Sequence, residues 1–199
     1  MPSADDFAAA FARAYPPETP RNAVGADDLG TLADLLPEAL TTLYAELGTG
    51  KHRRGMFELI SPAEYTAPYA NFFGGDSAGR TPFLANAFGE PIAYKRVSSR
   101  EAEISILHTY GPRLEVLAYD LGDFLDRVLG TDDGLRQVLN VPLFDRLRSR
   151  LRTLRPGQSY GFDPAVLAGE PAGTKADASY FEVVDTVAHL GLLLARADQ

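Results

Sequence analysis

The sequence predicts an α+β fold in which an antiparallel β-meander lies between helices at both ends of the chain. Three patterns predict it. Apolar residues recur at helical spacing up to Leu47, four strand-like segments follow one another from Phe83 to Tyr119, and helical spacing returns beyond Leu121. The links between those strands are too short for βαβ crossovers, which need a dozen or more residues, so the strands pair antiparallel. Helices, then strands, then helices is the α+β order.

Each element has a local reason. Phe7, Ala10, Phe11 and Ala14 share one side of a helix over Asp5–Tyr15. Pro16, Pro17 and Pro20 stop it and make an extended connector. Asp27 and Asp28 cap a short helix through Leu36, and Pro37 opens the next, with Leu40, Leu43, Tyr44 and Leu47 inward and Gly48 as its stop. Met56 to Ile60 reads as a strand, and Ser61-Pro62-Ala63-Glu64 opens a further helix in the manner of a capping box. Strands are expected at Phe83–Phe88, Ile92–Val97, Glu103–His108 and Leu114–Tyr119, with turns at Gly89-Glu90-Pro91 and Gly111-Pro112. Helices follow at Leu121–Leu129, Gly134–Leu139 and Leu143–Leu154. A Gly/Pro-rich loop, Pro156 to Gly173, then leads to a last helix striped by Tyr180, Val184, Val187, Gly191 and Leu194. The organisation expected is residues 1–26 as helix and connector, 27–80 as a helical region, and 81–199 as sheet plus C-terminal helices, packed as one unit.

Composition narrows the function. The 199 residues bury an ordinary core, roughly 70% of the unfolded surface. Cysteine is absent, which removes disulfides, thiolate metal sites and a Cys nucleophile. His52, His108 and His189 are far apart and form no HExxH pair, so no metal and no cofactor is expected. No apolar run is long enough to span a bilayer, and the first residues have no signal-peptide pattern, so a cytoplasmic location is expected. The net charge of −8 is uneven: Val141 to Pro156 carries five Arg against one Asp, a local +4, leaving −12 elsewhere. An acidic surface disfavours nucleic acid and anionic membrane and suits a basic protein partner. It assigns no oligomeric state.

Chemical motifs fail one by one. Gly48-Thr49-Gly50-Lys51 lacks the first glycine and the hydroxyl of a phosphate loop and follows a helix where a strand is required. Asp120, Asp123 and Asp126 recur every third residue, with Asp132 and Asp133 beyond; the spacing is not that of a calcium loop. These acids read either as a solvated helix face or as an anionic patch for a basic partner. Arg146, Arg148, Arg150, Arg152 and Arg155 read chiefly as the solvated face of a core helix, and otherwise as intramolecular partners of the acids or as a nucleic-acid contact. Ser105 and His108 fall on opposite faces of their strand, so they are no catalytic pair. His189 is expected at a helix surface or half-buried, and Glu101 and Glu103 beside a turn in solvent. No enzyme signature survives.

Ser159-Tyr160-Gly161-Phe162-Asp163-Pro164-Ala165, followed by Gly169 and the closing Ala188-His189-Leu190-Gly191-Leu192-Leu193, resembles the C-terminal domain of bacterial immunity proteins that pair with type VI secretion DNase effectors. Leu36-Pro37 and Leu40, Gly48, then Gly55 and Phe57, are similar to the GAD-like N-terminal region of the same proteins, and Ala87-Phe88-Gly89-Glu90 to the motif opening their sheet. One glycine, Gly169, stands where that family often has two. The resemblance implies a non-catalytic protein that binds and neutralises a cognate toxin, with Asp120, Asp123, Asp126, Asp132 and Asp133 as the toxin-facing candidates. The competing expectation is a small-molecule-binding or hydrolytic domain with a pocket under the 156–173 loop, where His108, Tyr160 and carboxylates would converge.

Overall fold

A seven-stranded antiparallel sheet runs in plain sequence order, each strand beside the next. The computed structural model describes residues 4–73, 79–98, 101–109, 113–162 and 178–197. The chain begins α1 (Ala4–Ala14), β1 (Pro17–Asn22), α2 (Ala26–Leu35), α3 (Glu38–Leu47), β2 (Thr49–His52), β3 (Phe57–Leu59) and α4 (Pro62–Phe73). The meander continues with β4 (Arg80–Asn86), β5 (Pro91–Arg96), β6 (Ala102–His108) and β7 (Arg113–Ala118). Then come α5 (Leu121–Asp123), continued by a π-helical stretch Phe124–Leu129, α6 (Asp132–Val138) and α7 (Val141–Arg150). A second, two-stranded sheet pairs β8 (Gln158–Phe162) with β9 (Phe181–Asp185), and α8 (Thr186–Ala197) follows. The α+β class and the antiparallel meander are as the sequence predicts.

Side chains that alternate along a strand separate the two faces of the sheet. Leu84, Ile92, Ile104 and Ile106 point to one large core shared with α1, α3, the π-helical stretch, α6 and α7. Ala85 points the other way, into a small cluster with Ile60, Tyr65 and Leu190 that seals α4 and α8 onto the opposite face. Tyr160, Phe162 and Phe181 from the second sheet belong to the large core, and the Phe162 and Phe181 rings lie 4.0 Å apart.

Several elements differ from the sequence reading: Thr49–His52, beyond the expected helix stop, is strand β2, and α7 ends at Arg150, short of the expected Leu154. The Pro16–Pro20 connector is extended, as expected, but it continues as β1, the outer strand of the sheet, paired to β2. Proline has no N–H to give, which an outer strand tolerates. Within the expected 156–173 loop, residues 158–162 form a strand, and residues 163–173 lie outside the described residues. The last helix begins at Thr186, where the sequence places its start near Tyr180; Phe181–Asp185 is instead β9, the partner strand of β8. Val183 and Val184 fit a helical stripe and a strand equally well, and pairing with β8 decides between them.

Gly48 shows why helix α3 stops where it does. Its φ is +70°, and a Cβ there would stand 2.2 Å from the Asn22 carbonyl oxygen. Only glycine fits both the left-handed backbone and the close approach to the end of β1.

The two sheets are joined by a buried polar seam. Lys51 and Glu58 are direct cross-strand partners in β2 and β3, 2.6 Å apart, with side chains 3% and 7% exposed. Each also takes a partner from the stretch entering β8: Lys51 Nζ donates to the Gln158 carbonyl at 2.6 Å, and Gly157 N–H donates to Glu58 Oε1 at 2.7 Å. Further along, Tyr160 N–H donates to the Ala87 carbonyl at 2.8 Å. Burial pushes the Lys51 ammonium below its ordinary pKa, while Glu58 opposes that shift. Removing one member leaves the other charged and uncompensated. K51A or E58A is expected to lower unfolding stability by about 3–5 kcal/mol, and the apolar double variant K51M/E58L by far less. Urea denaturation of the three variants checks this; a double variant as unstable as the singles would contradict it.

Candidate interaction surface

The acids singled out by the sequence lie on the helical stretch that follows β7. Asp120 Oδ1 caps α5 by accepting from Asp123 N–H at 2.8 Å. Asp123 pairs with Arg127 one turn on, at 2.6 Å, and Asp133 with Arg136 at 2.7 Å. Asp126 and Asp132 are exposed and, among the described residues, have no ion-pair partner. Helix geometry thus neutralises much of the patch locally. The arginine run is likewise divided. Arg150, though exposed, donates to the Phe181 carbonyl at 2.6 Å and to that of Ala178, Arg148 is partly buried, and Arg146, Arg152 and Arg155 are exposed.

The remaining motif residues are structural in their placement. Leu36, Leu40, Phe57, Phe88, Tyr160 and Phe162 are buried. Pro37 stands at the N-terminal cap position of α3 without a side-chain capping bond, Gly55 lies in the turn before β3, and Gly89 in that between β4 and β5. At Gly161 a Cβ would stand 2.6 Å from Val184 and 2.8 Å from the His189 ring, so the close packing of β8 under β9 and α8 requires a glycine. Pro164, Ala165 and Gly169 lie outside the described residues.

Sequence reasoning missed a network around His108. Its Nδ1 lies 3.3 Å from Glu90 Oε1 and its Nε2 3.3 Å from Glu115 Oε2, which Arg113 also meets at 2.8 Å. Asn86, fully buried, donates from one amide nitrogen to Glu90 Oε2 at 2.8 Å and to the Val138 carbonyl at 2.6 Å. Its carbonyl oxygen accepts from Phe88 and Glu90 N–H, fixing the tight β4–β5 turn. The network ties the β4–β5 turn, the β6–β7 pair and the end of α6 together. Register would have found it, since His108 pairs with Arg113 across β6 and β7. Ser105 is fully buried and does not join His108.

Two expectations are corrected. Glu103 is not solvated: it holds Arg80 through Nε at 3.0 Å and an Nη at 2.6 Å, and its side chain is 16% exposed. His189 is buried, at 5% exposure, and burial lowers its pKa. In the described part of the 156–173 segment, residues 158–162 form a mostly buried strand and the Tyr160 hydroxyl is turned to the Arg152 carbonyl at 2.8 Å; the rest of the segment over which a pocket is expected, residues 163–173, lies outside the described residues. No helix among the described residues is long and apolar enough to cross a membrane.

This arrangement, a meander threaded by helices and closed by a C-terminal hairpin, has relatives. The GAD-like domain family matches residues 6–108, just over half of the chain, and the chain belongs to that family. The matched span runs from α1 to the end of β6, across the limits at 26/27 and 80/81 read from the sequence. Among solved structures, that of Atu4351 from Agrobacterium tumefaciens is similar, with a TM-score of 0.69 over 93% of this chain and 87% of that one, at 15% identity. That likeness is one of fold. No curated protein matches the chain.

The Glu90 hydrogen bond raises the His108 pKa, against some loss from burial. A pKa raised on folding stabilises the protein below the unfolded value, about 6.5, and that contribution fades as pH rises through the folded value. The stability deficit of H108Q relative to the parent protein is therefore expected to be larger near pH 6 than near pH 8. Buried His52 and His189 are shifted the opposite way, so the difference between the two proteins is the quantity to follow. A deficit that grows with pH would contradict the assignment.

Proposed function

We propose that this chain is an immunity protein that binds and neutralises a cognate secreted toxin, a nuclease effector, by covering its working surface without catalysis. Membership of the GAD-like family supports the reading, as does the resemblance of the YGF segment and final helix to immunity domains. The observation that carries it is the charge: a net −8 on a folded chain whose exposed acids include Asp126 and Asp132. A nuclease must be basic enough to hold a phosphate backbone. An acidic protein can occupy that surface, and complementary charge speeds the encounter. Such pairs commonly bury about 1,600 Å² in total.

The partner is a protein; neither membrane nor nucleic acid has a place in this reading. A nuclease effector would be sought in the adjacent reading frame, as a secreted protein with a toxin tip. When it is mixed with this chain, the association rate is expected to fall steeply with ionic strength. Charge reversal by D126K/D132K should slow association several-fold and leave dissociation nearly unchanged. Failure of the two proteins to form any complex at low salt would overturn the proposal.

A further inference from the structure

The first half of the chain carries a stronger candidate surface than the helix after β7. Between Arg21 and Lys51 there are five carboxylates and no Lys or Arg. A cleft of about 300 Å³ opens between part of this stretch, the turn after β1 and helix α2, and the start of α4 beyond it. Asp28, Thr31, Leu32 and Leu35 contribute to it from α2, at a spacing that places them on one helix face. Pro62, Ala63 and Glu64 line the other side, with Val24 at one end. Tyr44 closes the floor, fully buried, its one hydroxyl proton within reach of both the Ile60 and the Phe83 carbonyls at 2.7 and 2.9 Å.

The cleft is mixed inside, with Val24, Leu32, Leu35 and Pro62 beside Asn22, Thr49 and Ser61, and negative at its margin. Leu35 is 49% exposed there, a large aliphatic side chain left in water beside an open cavity. Asp28 and Glu64 are exposed and, among the described residues, have no ion-pair partner. The nearest cation along the chain, Arg21, donates to the Leu47 carbonyl at 3.4 Å. The contrast with the 120–133 stretch is direct: there Arg127 and Arg136 already answer two of the acids.

We propose that this cleft is the docking groove for the protein partner, and that its occupant is a partner segment presenting an apolar side chain flanked by Lys or Arg. The proposal rests on the immunity reading for the partner's identity, and on the groove alone for its chemistry. The apolar side chain would displace water from Val24, Leu32, Leu35 and Pro62, while the flanking cations meet Asp28 and Glu64. A central apolar anchor inside a polar margin is the usual anatomy of a binding hot spot. Anchors of this kind govern dissociation, whereas marginal charges such as Asp126 and Asp132 govern encounter.

The probe is a short peptide alternating leucine and lysine, followed by amide chemical-shift mapping on the intact chain, with a leucine–glutamate peptide as control. The shifts are expected on the cleft-lining residues of α2 and α4. D28N/E64Q should weaken binding about tenfold, and D126N/D132N by less than about twofold. L35K should abolish it, and because all these positions are exposed the variants keep the fold. Shifts centred elsewhere, equal binding of the two peptides, or unchanged affinity in D28N/E64Q would each overturn the groove. With the adjacent toxin in hand, a complex that dissociates no faster when L35K is introduced would sink the groove and leave the immunity reading standing. A chain that forms no complex with that toxin but retains the peptide result keeps the groove and loses the immunity reading.

Discussion

The architecture turns on one buried ion pair. Lys51 and Glu58 face each other across β2 and β3, and each spends a further hydrogen bond on the backbone at Gly157 or Gln158. A charge pair this deep is costly to desolvate, so its value lies in what it orients more than in what it adds to stability. Here it registers the C-terminal hairpin against the family domain, and the Tyr160 to Ala87 bond extends the contact. The pair adds a buried polar constraint, beside the Tyr160–Ala87 bond, on where β8 sets Tyr160 and Phe162 in the large core. The elements that carry both groups of carboxylates pack on that shared core.

A preformed surface matters most if the chain acts, as proposed, by covering another protein. Binding energy is lost whenever a partner must order the surface it binds. The acids after β7 are positioned by a cap and by helix-spaced ion pairs. Those of α2 stand on a helix fixed through Leu32 and Leu36 in the core. The Asn86–Glu90–His108–Glu115 network plays a similar part at the other end of the sheet. It fastens a tight turn to two strands and a helix end through side chains that are buried or partly buried.

Much of the fold is legible in the residues. The meander strands from Phe83 to Tyr119, the helices α1 to α4, and the glycine stop at Gly48 follow from periodicity and backbone sterics. What is hidden depends on pairing between distant segments. Pro17 to Asn22 contains two prolines and no apolar alternation, and it is a strand only because β2 lies beside it. Phe181 to Asp185 satisfies two periods, and β8 selects one. The same holds for the site. The acids at 120–133 are conspicuous because they are regularly spaced, yet Arg127 and Arg136 sit one helical turn from two of them. The α2 cleft needs Asp28 and Glu64 brought together across the β1–α2 turn and α4, which no local pattern announces. Lys51 and Glu58 become a visible pair only once β2 is known to be a strand.

The central claim is that this chain protects by occupying a toxin's surface. Survival of cells expressing the adjacent toxin, with and without this chain, tests it most directly. Survival restored by the intact chain, and lost when the seam is broken by E58A so that the frame no longer holds, is the result this account predicts. Killing that proceeds unchanged in the presence of abundant folded chain would contradict it.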